Sequence, residues 1–286
     1  LFRSLMPSFD GLPSLVAVRQ GIYDSLDIKI DFITYASATD RDAAFLSGKL
    51  DGMLTDYPGA TLLQAKGSRL RLVMETDGSL SLIASKKSNV RNPDDLKGKN
   101  ISVSGNTFVE YATDEVMKRA CLHPGEVNKP EINNIPLRLM MLEDGQISAS
   151  FLPGPATAIA LNDGHTALLN TRQMGLRCTG IVFSEKAITE KDEEIRRFIT
   201  GYNLGVKYLQ TRPQNEWTEI LVKEFGLQEK AAMQIDLPDY RSATRPSYHD
   251  IEKIIAWLKS KGAIPDYYPG ENLVDTTFIP GTLKPQ

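Results

Sequence analysis

Acidic and aromatic residues gather in short loops that follow apolar runs: Phe9 and Asp10, Asp56 and Tyr57, Asp77, and the group Asn106, Thr107, Glu110 and Tyr111. Carboxylates accept hydrogen bonds from amino groups, and aromatic rings stack on flat heterocycles, so this set suits recognition of a small amino-bearing heterocycle. Ser37, ahead of a helical pattern, and Pro153, in a loop rich in proline and glycine, complete the candidate ligand-binding residues. No arginine falls in these loops, although a carboxylate or sulfonate receptor commonly uses a bidentate one. Arg41, at the start of its helix, is the arginine that could reach in. Plainer roles stay open for several of these residues. Asp10 and Thr107 can cap helices, Asp56 can cap a helix opening at Pro58, and Tyr111 can belong to a core.

Covalent chemistry finds little support. The chain has no GxGxxG after a strand, no Walker loop, no GxSxG and no HExxH. Its three histidines, His123, His165 and His249, are scattered and read as surface or capping residues. The two cysteines, Cys121 and Cys178, form no CxxC and read as small buried or half-buried residues. The expectation is therefore no catalytic residue, no metal and no cofactor.

What must position the candidate residues is a unit used twice. GKLDGMLTDYPGATLLQAKG, from Gly48 to Gly67, returns at an offset of 97 residues as GQISASFLPGPATAIALNDG, from Gly145 to Gly164. Gly48 matches Gly145, Leu50 matches Ile147, Gly52 matches Ala149, Pro58 matches Pro155 and Gly67 matches Gly164. Each copy reads as a glycine helix stop, an apolar strand, a loop, a proline opening a helix, and a closing glycine. The same offset lays Pro7-Ser8-Phe9-Asp10 on Ser104-Gly105-Asn106-Thr107. Two similar α/β lobes follow. Ligand loops of open α/β sheets lie at the carboxyl ends of the strands, so Ser8 to Leu12, Thr55 to Gly59, Ser104 to Val109 and Leu152 to Ala156 are expected to face a common cleft.

Along the chain, strands are expected at Phe2 to Met6, Ile28 to Phe32, Leu50 to Leu54 and Leu70 to Glu75, alternating with helices at Leu12 to Leu26 and after Ser37. Alternation of this kind predicts a parallel sheet covered on both faces. Asp77-Gly78-Ser79 is a candidate crossing into the second lobe. That lobe is expected to hold strands at Leu80 to Ser85, Ile101 to Ser104, Ile132 to Ile135, Ile147 to Phe151 and Ala167 to Leu169, with helices at Phe108 to Cys121, Leu137 to Glu143 and Ala156 to Asn162. The strand Leu176 to Phe183 returns to the first lobe, with Cys178-Thr179-Gly180 as the second crossing. Helices at Asp192 to Gln210, Pro213 to Phe225, Gln228 to Ile235 and His249 to Lys261 are expected to pack on the first lobe, ahead of an irregular surface tail. The domains are then 1–80 with 179–286, and 81–178.

At 286 residues the chain is long enough for two lobes without staples, and a formal net charge of -3 points to neither nucleic acid nor an anionic membrane as partner. No apolar stretch approaches the length of a membrane span. A chain that begins Leu-Phe-Arg reads as a processed or trimmed product whose targeting segment has been removed.

The chain resembles the substrate-binding proteins of ABC importers, in the group for thiamine-pyrimidine precursors, taurine and aliphatic sulfonates. The resemblance rests on Ala17 to Tyr23 (AVRQGIY), Ala44 to Asp56 (AFLSGKLDGMLTD), Gly67 before a strand, Asp95-Leu96-Lys97-Gly98-Lys99 before Ile101-Ser102-Val103, and Gly145 to Pro155. It covers Ser4 to Phe183 well and the helical remainder loosely. It implies the type II periplasmic-binding-protein fold, with two α/β lobes, a ligand cleft and two hinge strands, closing on a small-molecule ligand and delivering it to an ABC transporter permease. It also implies a periplasmic or extracellular monomer, in many relatives lipid-anchored, with Tyr57 and Tyr111 nearest in position to the ring that stacks on a pyrimidine. Ser148, where Asp51 stands in the first copy, departs from the usual acidic pattern. Fungal pyrimidine synthases share this fold, but they depend on a cysteine-rich motif that the chain lacks; menaquinone-pathway enzymes are a further comparison on length alone.

Overall fold

The computed structural model describes residues 2–5, 8–233, 235 and 237–279, with side chains from residue 8 onward. The chain divides into two compact units, Leu1–Gly78 with Cys178–Gln286, and Ser79–Arg177.

The first unit opens with β1 (Phe2–Leu5), a single 3-10 turn at Phe9–Gly11, and α1 (Leu12–Arg19). The expected helix from Leu12 to Leu26 is broken by Gly21, whose φ of 65° ends α1 and starts the short α2 (Ile22–Ser25). Then come β2 (Asp31–Thr34), α3 (Ala38–Leu46), β3 (Gly52–Asp56), α4 (Tyr57–Ala65) and β4 (Leu70–Glu75).

The second unit contains β5 (Leu80–Ala84), β6 (Ile101–Ser102), α5 (Phe108–Arg119), α6 (Ile135–Asp144), β7 (Ala149–Pro153), α7 (Gly154–Asn162) and β8 (Thr166–Asn170). Its sheet runs β6-β7-β5-β8, with β6 parallel to β7 and β5 antiparallel to both neighbours. The strand expected at Ile132 to Ile135 is instead a single bridge, Val103 to Glu131, because Asn133 and Asn134 turn the chain into α6, with Asn134 as its cap.

Back in the first unit, β9 (Thr179–Ser184) leads into α8 (Glu185–Glu190), α9 (Asp192–Thr211), α10 (Thr218–Phe225), α11 (Glu229–Met233) and α12 (Tyr248–Ser260). The sheet order is β2-β1-β3-β9-β4. The parallel sheet expected from sequence is interrupted here, since β9 lies between β3 and β4 and runs antiparallel to both. Its residues Gly180 to Phe183 are buried, which is what a central strand demands of a short apolar run.

Two glycines allow α9 to lie against α1. A Cβ on Gly205 would come within 2.1 Å of the Pro13 carbonyl oxygen, and one on Gly201 within 2.2 Å of the Tyr23 ring. The Tyr23 and Phe198 rings then stack at 5.6 Å and 11°. The tail does not simply lie on the surface as its composition predicts. The Leu72 amide donates to the Leu273 carbonyl oxygen at 2.7 Å, and Leu273, Phe278 and Ile279 are buried. Those apolar side chains find in the first unit the burial that their loop-like neighbours do not advertise. Residues 280–286 of that tail lie outside the described residues.

The repeated segments coincide element for element. Strand Gly52–Asp56 corresponds to Ala149–Pro153 and helix Tyr57–Ala65 to Gly154–Asn162, each at the offset of 97. Gly48 and Gly145, with φ of 75° and 74°, make the same left-handed exit from the preceding helix.

Candidate functional site

In the first unit, the loop after β1 holds Phe9 and Asp10. The Phe9 carbonyl oxygen accepts the Tyr240 hydroxyl at 2.8 Å, and its ring packs edge-on against Phe225 at 5.2 Å. Asp10 is 1% exposed. Its Oδ2 accepts the Thr76 hydroxyl at 3.2 Å, while its Oδ1 has no partner. Burial pushes the Asp10 carboxyl above its ordinary range, against the pull of hydrogen bonds from Ser8 and Thr76. The Tyr202 hydroxyl is also buried without a partner, and burial, with the Asp77 and Asp10 charges, raises it too. Thr76 and Thr179 join hydroxyls at 2.9 Å, and the Gly78 amide donates to Thr179. Gly78 has to be glycine at this point, because a Cβ would stand 2.5 Å from the Thr179 hydroxyl and 2.6 Å from Asp10 Oδ2.

Asp77 belongs to a second cluster. Its carboxylate accepts the Arg241 amide at 2.8 Å and Nε at 2.7 Å, and Arg241 Nη2 reaches Glu75 at 2.8 Å. Glu75 also accepts the Tyr57 hydroxyl at 3.0 Å. Tyr57 is 0% exposed and its hydroxyl is held by Glu75, which gives the ring a structural role beside the stacking one expected from sequence. Its position explains the burial: Tyr57 opens α4 straight after β3, the middle strand of the sheet, and its amide donates to the Cys178 carbonyl oxygen at the entry to β9. Ser37 and Asp56 are helix caps, accepting the Asp40 and Gly59 amides at 3.1 and 2.7 Å.

In the second unit, the candidates Asn106, Thr107, Glu110 and Tyr111 meet at the start of α5. Asn106 is left-handed at φ 55°, Thr107 caps the helix through the Val109 amide, and Glu110 accepts the Asn106 amide at 2.8 Å. Lys129 bridges Glu110 and Asp114 at 3.1 and 2.8 Å. Burial works against the Lys129 charge, but Asp114 and Glu110 raise its pKa on balance. Tyr111 is buried, a core ring like Tyr57. Glu131 presses on Gly105, where a Cβ would stand 2.8 Å from its carboxylate. Pro153 is the residue before α7, which has no side-chain cap.

Sequence reasoning missed Glu75, Thr76, Thr179, Arg241 and Lys129, which carry no local pattern. It also missed Arg138, for which a signal existed: it lies 97 residues after Arg41. Arg41 does not reach outward; it is buried against Leu54 and Asp42. His165 is no surface residue either. It is buried, accepting the Lys86 amide at Nδ1 and pairing with Glu143 at Nε2, 2.7 Å away, which ties the segments after β5 and α7 to α6. Cys178 is buried as expected, whereas Cys121 is exposed, because the left-handed turn after α5 turns it outward. Among the described residues no group of three or more His, Cys, Asp and Glu is placed to hold a metal, and no helix is long and apolar enough to cross a membrane.

No curated protein matches the sequence. Solved structures match its fold. The ligand-binding component of an ABC-type import system from Staphylococcus aureus, with zinc bound, is similar over 97% of both chains at 13% identity and a TM-score of 0.81. The alkanesulfonate-binding protein SsuA of Xanthomonas axonopodis pv. citri, bound to MOPS, is similar over 93% of this chain and 94% of its own, at 18% identity and a TM-score of 0.77. A desulfurization enzyme, DSZB, is similar over 97% and 96%, at 12% identity and a TM-score of 0.69. The architecture is thus that of the periplasmic binding proteins, of type II, with a mixed α/β sheet in each unit. The model of the NMT1/THI5-like family matches residues 8–216, and the chain belongs to that family.

Proposed function

We propose that the chain is the solute-binding component of an ABC-type importer, working outside the cytoplasm as a monomer and handing a small organic ligand to a membrane permease. Its family, its fold and its likeness to the ligand-binding component of the Staphylococcus aureus import system support this reading. The ligand offers hydrogen-bond donors, as an amino-bearing heterocycle or alkylamine does. The observation that carries this is Asp10, a buried carboxylate with one oxygen unpartnered, close in the chain to the start of α1. A buried acceptor without a partner in the protein is stabilised by a ligand donor.

The likeness to a desulfurization enzyme favours a catalytic reading on fold alone. The first unit's cysteine argues the other way. Burial pushes the Cys178 thiol well above its ordinary value, with Asp250, Asp56 and Glu75 adding to the effect, the reverse of an activated nucleophile.

Thermal-shift titration tests the binding reading with aminopyrimidine thiamine precursors, 2-aminoethanesulfonate and amine-free alkanesulfonates, against wild type and Asp10→Asn. An amino-bearing ligand at a thousandfold its Kd adds about 4 kcal/mol, or roughly 8 °C for a chain of this size, and Asp10→Asn weakens that response. Equal responses from wild type and Asp10→Asn, or a response to the amine-free sulfonates alone, would refute the donor-bearing ligand.

A further inference from the structure

Around the end of β4 the contacts of the first unit alternate along the chain. Glu75 and Asp77 turn to Arg241, whereas Thr76 between them turns to Asp10 and Thr179. That is the period of an extended backbone, and it sorts the acids of this unit onto two faces. On one face every carboxylate oxygen is met from within the chain. Asp77 Oδ1 accepts Arg241 Nε at 2.7 Å and its Oδ2 accepts the Arg241 amide at 2.8 Å. Glu75 Oε1 accepts Arg241 Nη2 at 2.8 Å and its Oε2 accepts the Tyr57 hydroxyl at 3.0 Å. On the other face Asp10 keeps Oδ1 without a partner, and the Tyr202 hydroxyl is buried without one as well.

The two faces share one electrostatic field. Burial and then the Asp77 and Asp10 charges lift the Tyr202 hydroxyl, and Arg241 opposes them. Burial is also the first cause that lifts the Asp10 carboxyl, and the Asp77 charge adds to it. Asp77 acts there as one half of an ion pair. Burial works against the Arg241 charge, but the hydrogen bonds to Glu75 and Asp77 raise its pKa on balance. Nε and Nη2 of one planar guanidinium thus span two carboxylates, a geometry that a lysine ammonium does not reproduce.

We propose that Arg241 is a positioning residue that sets the specificity of the first unit's site: by satisfying Glu75 and Asp77 it leaves Asp10 as the carboxyl that meets the solute. This rests on the solute-binding reading with a donor-bearing ligand. It narrows that ligand to one presenting a single amino group to this unit, because the place a second cationic group would take is filled by the chain's own guanidinium.

The test has two readouts on the whole chain. The first needs no ligand: the Tm difference between wild type and Asp10→Asn is followed against pH, then followed again with both proteins carrying Arg241→Met. Without the guanidinium the Asp77 charge acts on Asp10 unopposed, so the pH window in which the difference develops is expected to move upward. Arg241→Lys, which keeps the charge, is expected to leave the window in place. A purely structural arginine would lower Tm in both variants and move the window in neither. If Arg241→Met fails to fold by circular dichroism, Asp77→Asn takes its place with the opposite sign, since removing the raising charge moves the window downward. The second readout is calorimetric titration with propylamine and 1,3-diaminopropane at constant ionic strength. Arg241→Met is expected to shift the ratio of the two affinities towards the diamine by about ten- to hundredfold, because Glu75 and Asp77 then lack their donor. An unmoved window, or the same ratio in wild type and Arg241→Met, absence of binding included, overturns the proposal. Failure of the donor-bearing ligand looks different: the window and the diamine ratio then still move, while Asp10→Asn responds to the aminopyrimidine precursors as wild type does.

Discussion

Replacing Tyr57 by phenylalanine separates a structural tyrosine from a ligand-stacking one. The ring and its packing stay, and only the hydroxyl that donates to Glu75 at 3.0 Å is removed. Both groups are buried, Tyr57 at 0% and Glu75 at 5% exposure, so water does not replace the lost donor well. Glu75 keeps its contact with Arg241, which limits the damage. A hydrogen bond to a charged group contributes about 1.5–3 kcal/mol, and at about 2 °C per kcal/mol for a chain of this size the expected fall in Tm is roughly 3–6 °C. Burial, and then the charge and hydrogen bond of Glu75, raise the Tyr57 pKa, so the hydroxyl stays protonated and donating across the neutral range and the loss does not depend on pH there. The assay is thermal unfolding by circular dichroism, paired with ligand titration. An unchanged Tm together with a loss of ligand affinity would refute the structural assignment and return Tyr57 to the ligand.

Gly205→Ala is expected to destabilise the first unit by about 1–3 kcal/mol or more, because the new Cβ meets backbone at 2.1 Å rather than a flexible side chain; chemical denaturation checks it, and a neutral result would mean that α1 and α9 are free to separate. Ser37→Ala and Asn134→Ala each remove an equivalent N-cap, in different units, and each is expected to lose about 1 kcal/mol with additive effects in the double variant; strong non-additivity in denaturant unfolding would contradict the separation of the two units. Asp10 carries a pH signature. Its raised folded pKa means that its contribution to stability is fully present below the unfolded value of 3.8 and is lost as pH rises through the raised value. Asp10→Asn should therefore gain stability relative to wild type as pH rises through that window, and a constant difference in Tm across it would show that the carboxyl is not buried in its charged form.

Much of this protein was legible in its sequence because the signals are local. Strand alternation, glycine exits and caps at Ser37, Asp56 and Thr107 depend on a few neighbouring residues, and the offset of 97 carried the same chemistry into both units. The positions of Asp10, and of Asn106 with Thr107 and Glu110, at the starts of α1 and α5 followed from the same patterns. Tertiary structure decided the rest, because it concerns partners that no local pattern links. Arg241 meets Asp77 across 164 residues, and Tyr57 meets Glu75 only once α4 packs against the sheet that ends in β4. Inserting β9 between β3 and β4 turned a parallel reading into a mixed sheet and buried the ring expected to meet a ligand. Arg138 shows the division most clearly. Its type and spacing stand in the sequence, but its want of a counter-ion among the described residues exists only where the fold removes it from water and leaves its Nε without a partner.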